Sequence, residues 1–229
     1  MSTVVSHARR GSQQRGDDAR RRLLDAGLEL FAKDGFEGTS TRALAEKAGV
    51  NLPAIPYYFG SKEGLYRAIV DEIVQYMDEH LGPVSVRINT ELRAGETARR
   101  VLVDLLCDVL HVLVALMLDD EQARNRDNRQ KFFARMEVEP DAAFEVLQAA
   151  MIRNVFAPCC DIIGRLTNRL ADDEQVLLRT MTIIGQVKIF CGWGTTGLLH
   201  WHSISDDHVR AAQSVIREHV EAIFASYLS

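Results

Sequence analysis

The chain has 229 residues, a length for one large or two small domains, and 47% of them are apolar, the share of an ordinary globular protein rather than a disordered or bilayer-embedded one. Its four cysteines, Cys107, Cys159, Cys160 and Cys191, form no C-x-x-C pair, and no charged–apolar–small leader opens the chain; a disulfide framework and secretion are not expected, and a reducing cytoplasm is. The net charge of −5 is uneven: residues 1–62 hold ten Lys/Arg against seven Asp/Glu (+3), and residues 63–229 hold 17 against 25 (−8), which points to a nucleic-acid partner for the first third only.

Residues 1–16 are polar and Arg-rich and are expected to be a disordered basic arm. A helix starts at Asp17 or Asp18, carries the stripe Leu23, Leu24, Gly27, Leu28, Leu30 and Phe31, and stops at Gly35. A second helix, capped by Thr39 or Ser40, runs through Leu44 to Ala48 and ends at Gly49. Only "GVN" separates it from the short element "NLPAIPYYF", and two short helices joined by a tight Gly-containing turn are a helix-turn-helix pattern. From Ser61, Leu65, Ile69, Ile73 and Met77 recur every four residues, so a long amphipathic helix is expected to end at Gly82-Pro83. Further helices are read near 84–92, 96–118, 121–136, 141–170, 172–200 and 205–228, with no strand alternation. The run 101–118 is barely long enough to span a bilayer and carries Asp104, Asp108 and His111, so a buried core helix is the reading, with no membrane partner.

The third short helix poses a problem. If Asn51 caps it, Pro53 falls in the first turn, where a missing N–H costs nothing. Pro56 falls where the first intrahelical bond, to Leu52, is due, and an interior proline costs about 3 kcal/mol. Either the helix tightens there and offers Pro56 as an apolar face to a thymine methyl, or the chain relies more on phosphates and its basic arm.

The stretches "LLDAGLELFAKDGFEGTSTRALAEKAGV" and "YYFGSKEGLYRAIV", within residues 23–70, resemble the N-terminal domain of the TetR family of bacterial repressors. "FFARMEVEPDAAFEVL" and "IREHVEAI" resemble its CecR-type subgroup. The resemblance implies an all-α fold: a three-helix helix-turn-helix DNA-binding domain followed by a helical ligand-binding and dimerisation domain, expected over residues 17–63 and 64–229. It implies a homodimeric repressor that leaves palindromic operator DNA when a small-molecule inducer binds; some relatives control efflux genes. Carried over by position, Thr41 and Arg42 open the second helix and touch phosphates. Asn51, Leu52, Pro53, Ala54, Pro56 and Tyr57 form the turn and recognition helix, and Tyr58 and Lys62 clamp the DNA backbone. Where the family has Tyr or another polar residue, this chain has Pro56. The long helix from Ser61 is expected to be the lever, since it joins both domains.

The expected effector pocket has His111, Arg135 and Arg153 as polar liners and Phe132, Phe133, Met151, Phe190 and Trp193 as walls. Asp104, Asp108 and His111 share one helix face; the alternatives are pairing with arginines such as Arg135 or Arg153, or facing the ligand. Ile183, Ile184, Val187, Phe190, Val215, Ile216, Val220 and Ile223 are the expected dimer faces of the last two helices. "GWGTTG", residues 192–197, matches G-x-G-x-x-G and gives an alternative, a nicotinamide-dinucleotide enzyme, but without the strand–helix–strand setting such a motif needs. His200, His202 and Cys191 match no strong zinc spacing, so neither metal nor cofactor is expected.

Overall fold

The computed structural model describes residues 3–95, 98–118, 123–138, 140–190, 198–201 and 203–225. Among the described residues it is helical without strands: α1 Thr3–Gly38, α2 Thr41–Ala48, α3 Ala54–Phe59, α4 Lys62–Arg93, α5 Arg99–Leu118, α6 Ala123–Val138, α7 Ala142–Met151, α8 Ala157–Thr167, α9 Glu174–Lys188 and α10 Asp206–Phe224. A π-helical turn, Ile152–Phe156, joins α7 to α8.

The chain divides into two compact units, Met1–Ile73 with Asp127–Phe144, and Val74–Arg126 with Glu145–Ser229. The expected boundary between 63 and 64 therefore lies inside the first unit. Its core takes the opening turns of α4 (Leu65, Tyr66, Ile69, Val70) together with Phe132 and Met136 of α6. Tyr66 is the hub. Its ring meets Phe31, Phe36 and Phe132, each at 5.2 Å between centroids, and such edge contacts add to plain area burial. Asp141 accepts from the Ala143 and Phe144 N–H groups at 2.9 Å each and so opens α7; together with burial, it raises the Tyr66 phenol well above its ordinary range.

Two helix boundaries differ from expectation. α1 is bounded by Thr3, upstream of the expected start at Asp17 or Asp18. Extending a helix already nucleated by the packed Leu23–Ala32 stretch is far cheaper than starting one. Gly35 does break the helical dihedrals as expected, at φ 76° and ψ 175°, and the chain turns there.

α4 does not stop at Gly82-Pro83 but continues to Arg93. Met77, Leu81, Ser85, Ile88 and Leu92 form one buried stripe across the proline. Burying Leu81, Ile88 and Leu92 is worth roughly 1.5–3 kcal/mol each, more together than the ~3 kcal/mol an interior proline costs. Pro83 and Glu79 are both exposed, so water can satisfy the carbonyl that the proline leaves.

In the second unit α5 is the central helix, with ten buried residues against α8, α9 and α10. It is long and apolar enough to cross a membrane, and it is used here as core. Its polar face is paired: Asp104 with Arg217 at 2.6 Å, Asp108 with Arg87, and the His111 ring Nε2 with the Gln213 carbonyl at 3.2 Å. The π turn has a local cause as well. Pro158 cannot donate to the Asn154 carbonyl, and that buried oxygen accepts instead from the Ser85 hydroxyl at 3.0 Å.

Candidate nucleic-acid interface

The helix-turn-helix is built by local capping. The Ser40 hydroxyl accepts from the Ala43 N–H at 3.1 Å and starts α2. Gly49 ends it at φ 63°; Gly49 N–H donates to the Glu46 carbonyl and Val50 N–H to the Ala45 carbonyl, so the turn closes on the helix end it terminates. Lys47 binds Glu29 at 2.5 Å and holds α2 against α1. The Arg20 guanidinium lies 5.4 Å from the Phe59 ring centroid and 3.5 Å from Glu72, tying α1 to α3 and α4.

The prolines of α3 resolve together. Asn51 does not cap the helix with its side chain; the helix starts after Pro53, which lacks a side-chain cap bond. The Ala54 N–H donates to the Asn51 carbonyl at 2.9 Å and the Ile55 N–H to the Leu52 carbonyl at 3.3 Å, three residues back, before Tyr57 makes the first four-residue bond, to Pro53 at 3.1 Å. The Leu52 carbonyl that Pro56 cannot reach is thus taken by Ile55. The helix tightens, and Pro56 becomes its third residue, where no α-helical donor is required.

This arrangement exposes Thr41, Arg42, Asn51, Leu52, Pro53, Pro56 and Tyr57, leaves Ala54, Tyr58 and Phe59 half-buried, and buries Ile55. Thr41, Leu52, Pro53, Pro56 and Lys62 share an open concavity of about 920 Å³. Glu37, Ser40, Ser61 and Glu63 line it too, and sequence reasoning missed them as site residues. The Ser61 hydroxyl holds the Glu63 carboxyl below its ordinary value, so the groove carries anionic groups beside an apolar floor. The two serines were legible as helix caps; nothing in the sequence marked Glu37 or Glu63 as groove residues.

Lys62 is not a free cation. Its ammonium donates to the Phe36 carbonyl at 2.9 Å and the Thr39 carbonyl at 3.2 Å, and it lies 4.1 Å from the Phe36 ring centroid. The buried Thr39 hydroxyl donates to the Gly35 carbonyl at 2.7 Å. The two side chains together pin the link that presents Ser40, Thr41 and Arg42. An ammonium has three donors, and two are occupied here.

The described effector candidates are divided between the two units. Phe132, Phe133 and Arg135 belong to the first unit: Phe132 is core, Phe133 half-buried, and Arg135 donates to the Lys33 carbonyl at 3.1 Å beside Gly35. His111, Met151, Arg153 and Phe190 belong to the second, and Arg153 binds Asp78 at 2.8 Å. The pairings expected of Arg135 and Arg153 with the α5 carboxylates are therefore replaced by Arg217 and Arg87, whose elements face α5 within the same unit. Trp193, residues 192–197, Cys191 and His202 lie outside the described residues.

A family model described as bacterial regulatory proteins, tetR family, matches residues 23–69, and one described as the C-terminal domain of the HTH-type transcriptional dual regulator CecR matches residues 102–226. The HTH-type transcriptional dual regulator CecR of Shigella flexneri is 26% identical over 211 residues, 91% of this chain and 92% of its own length. A TetR-like transcriptional regulator from Rhodococcus sp. RHA1 superposes with a TM-score of 0.60 at 19% identity, covering 90% of this chain and 96% of that one. SmeT, solved as a triclosan complex, gives 0.56 at 15% identity, covering 90% of each.

Proposed function

Since the chain belongs to the TetR family of bacterial transcriptional regulators, in the group with the CecR C-terminal domain, we propose that it is a homodimeric repressor that releases a palindromic operator when a small molecule binds. It is a regulator and not an enzyme: residues 192–197, the basis of the dinucleotide-binding alternative, fall inside the matched C-terminal domain. It acts in the cytoplasm, where its DNA lies.

One observation carries the reading of the interface: Arg42, Leu52, Pro53, Pro56 and Tyr57 are all exposed on the α2–turn–α3 segment, with nothing of the unit's own packed over them. Thr41 and Arg42 stand at the first turn of α2, whose free N–H groups and positive helix end favour a phosphate. The base-facing surface of α3 is apolar. Leu52, Pro56 and the Tyr57 ring suit thymine methyls better than base-edge hydrogen bonds, while Asn51 is the polar reader. Two protomers would address half-sites roughly 34–36 Å apart, or a multiple of that.

In this reading the effector binds the second unit, which holds the candidates His111, Met151, Arg153 and Phe190. SmeT, named with triclosan, shares the fold, and a small apolar effector follows that precedent; control of efflux genes is the part of the reading taken from the family resemblance. The test is retardation of duplexes selected from a random pool. A half-site repeat should emerge, and uniform binding to all sequences would overturn sequence-specific repression. Screening apolar compounds for release of the selected duplex tests the effector.

A further inference from the structure

The break near the end of α1 is held from two sides by cationic side chains. Gly35, at φ 76° and ψ 175°, sits in a region of backbone space that is essentially glycine's alone. A helix end leaves its last carbonyls without intrahelical donors, and side chains reach the carbonyls around this one. The Thr39 hydroxyl donates to the Gly35 carbonyl at 2.7 Å, and Lys62 of α4 donates to the Phe36 and Thr39 carbonyls. Arg135 of α6 comes from 102 positions further along the chain, and its Nη2 donates to the Lys33 carbonyl at 3.1 Å. A guanidinium at a helix C-terminus is favoured by the helix dipole as well. The same guanidinium lies over Gly35, where an added Cβ would come within 2.8 Å of Nη1 and 3.3 Å of Cζ. Phe132 and Met136, buried in the core of the first unit, anchor α6 before and after Arg135.

We propose that Arg135 is a positioning residue of the helix-turn-helix: from α6 it fixes the break at Gly35, and through it the direction in which the first turn of α2 presents Thr41 and Arg42. The inference rests on the DNA-binding reading above, and within it on Arg42 as a phosphate contact. Between the break and α2 the chain has little freedom of its own. The Phe36 ring is packed against Phe31 and Tyr66, its carbonyl is bonded by Lys62, and Ser40 already caps α2 by accepting from the Ala43 N–H. A change of angle at Gly35 is therefore carried into α2. A guanidinium–phosphate bond is directional, so a tilt of α2 costs Arg42 its contact although Arg42 itself is unchanged. Arg135, expected from the sequence to line the effector pocket, on this reading serves the DNA-binding unit instead.

The test is a double-mutant cycle on the full-length chain, with affinity measured for a random-sequence duplex and for a duplex that the wild-type chain selects from a random pool. Arg135→Ala should weaken binding to both by roughly three- to tenfold, and the slope of log affinity against log salt should shrink by about 0.9, the value for one phosphate contact. Arg42→Ala should do the same. In the Arg42→Ala background, Arg135→Ala should then change affinity by less than about twofold and leave the slope alone, because the contact it positions is already gone. Losses that multiply, with a slope that shrinks again, would mean that Arg135 meets phosphate itself and would overturn the proposal. Losses that multiply at an unchanged slope would mean a general loss of fold and would overturn it too, as would wild-type affinity and slope in Arg135→Ala alone. Arg135 is exposed and alanine is the best helix former, so the variant is expected to fold; Arg135→Gln, shorter and neutral, runs the same cycle if it does not. If Arg42→Ala alone leaves affinity and slope unchanged, the assignment of Arg42 to a phosphate falls, and the role of Arg135 with it. If wild type binds neither duplex, the DNA-binding reading itself falls.

Discussion

Lys62 shows how one side chain can be drawn away from the role its position implies. Its ammonium is held by the Phe36 and Thr39 carbonyls over the Phe36 ring, so Lys62→Ala removes a tie within the protein before it removes any phosphate contact. The variant should lose about 1–2 kcal/mol of stability in denaturant titration, and its DNA affinity should fall equally on all sequences. Unchanged stability would return Lys62 to a pure phosphate contact. Gly49 needs its left-handed backbone and has room around it, since an added Cβ would lie 3.7 Å from the Arg22 guanidinium. Gly49→Ala should therefore cost about 1 kcal/mol through conformation alone, and Gly49→Asn less, as read by thermal melting. His111 supplies a pH dependence. Burial first, and Arg217 second, hold its imidazole below the ordinary value, so the unfolded chain binds that proton more readily. Stability should fall as pH drops below about 6.5 and stop falling below the folded-state value; in His111→Asn this part of the acid sensitivity should be absent from melts recorded across that range.

At the scale of elements, Pro56 and Pro83 behave oppositely, and position explains why. Pro56 sits third in α3, where the tightened turn has already reassigned the Leu52 carbonyl to Ile55. Pro56→Ala should leave stability within about 0.5 kcal/mol, and any effect should appear in operator preference. Pro83 sits mid-helix in α4 on an exposed face, where an alanine would regain the bond to the Glu79 carbonyl. Pro83→Ala should raise the melting temperature, by an amount corresponding to about 1–3 kcal/mol; no rise would mean the helix has relaxed around the ring.

At the scale of the whole molecule, the seam of the proposed dimer is read from what the single chain leaves uncovered. Ile183, Val187, Ile216 and Val220, expected at the interface, are instead buried within the second unit. The exposed apolar residues of α9 and α10 are Leu177, Leu178, Met181, Val215 and Ile223, on the neighbouring faces, and Gln186 and His219 link the two helices at 3.1 Å. Apolar residues grouped in this way mark an association site, and two helices from each protomer would make a four-helix seam. Sedimentation of wild type at micromolar concentration should report a dimer, and Met181→Asp with Val215→Asp should report monomers of retained helicity.

Much of the fold is legible in the chain because it is written in local chemistry. Ser40, Gly49 and Ser61 punctuate the first unit by capping, the four-residue stripe of α4 gives its buried face, and the long match over residues 23–69 gives the family. What the sequence could not decide is where one residue has two partners on offer. The polar stripe of α5 is visible in the sequence, but its pairing with Arg217 and Arg87 depends on which helices pack beside it, and no spacing in the chain encodes that choice. The same holds for Phe132 and Arg135. Their helix joins the first unit because Tyr66 offers an aromatic surface there, although more than sixty positions separate them in the chain. Capping and periodicity act over a few residues, where the chain itself supplies the geometry. Core membership and ion pairing act across the packed interior, where distance along the chain no longer predicts distance in space.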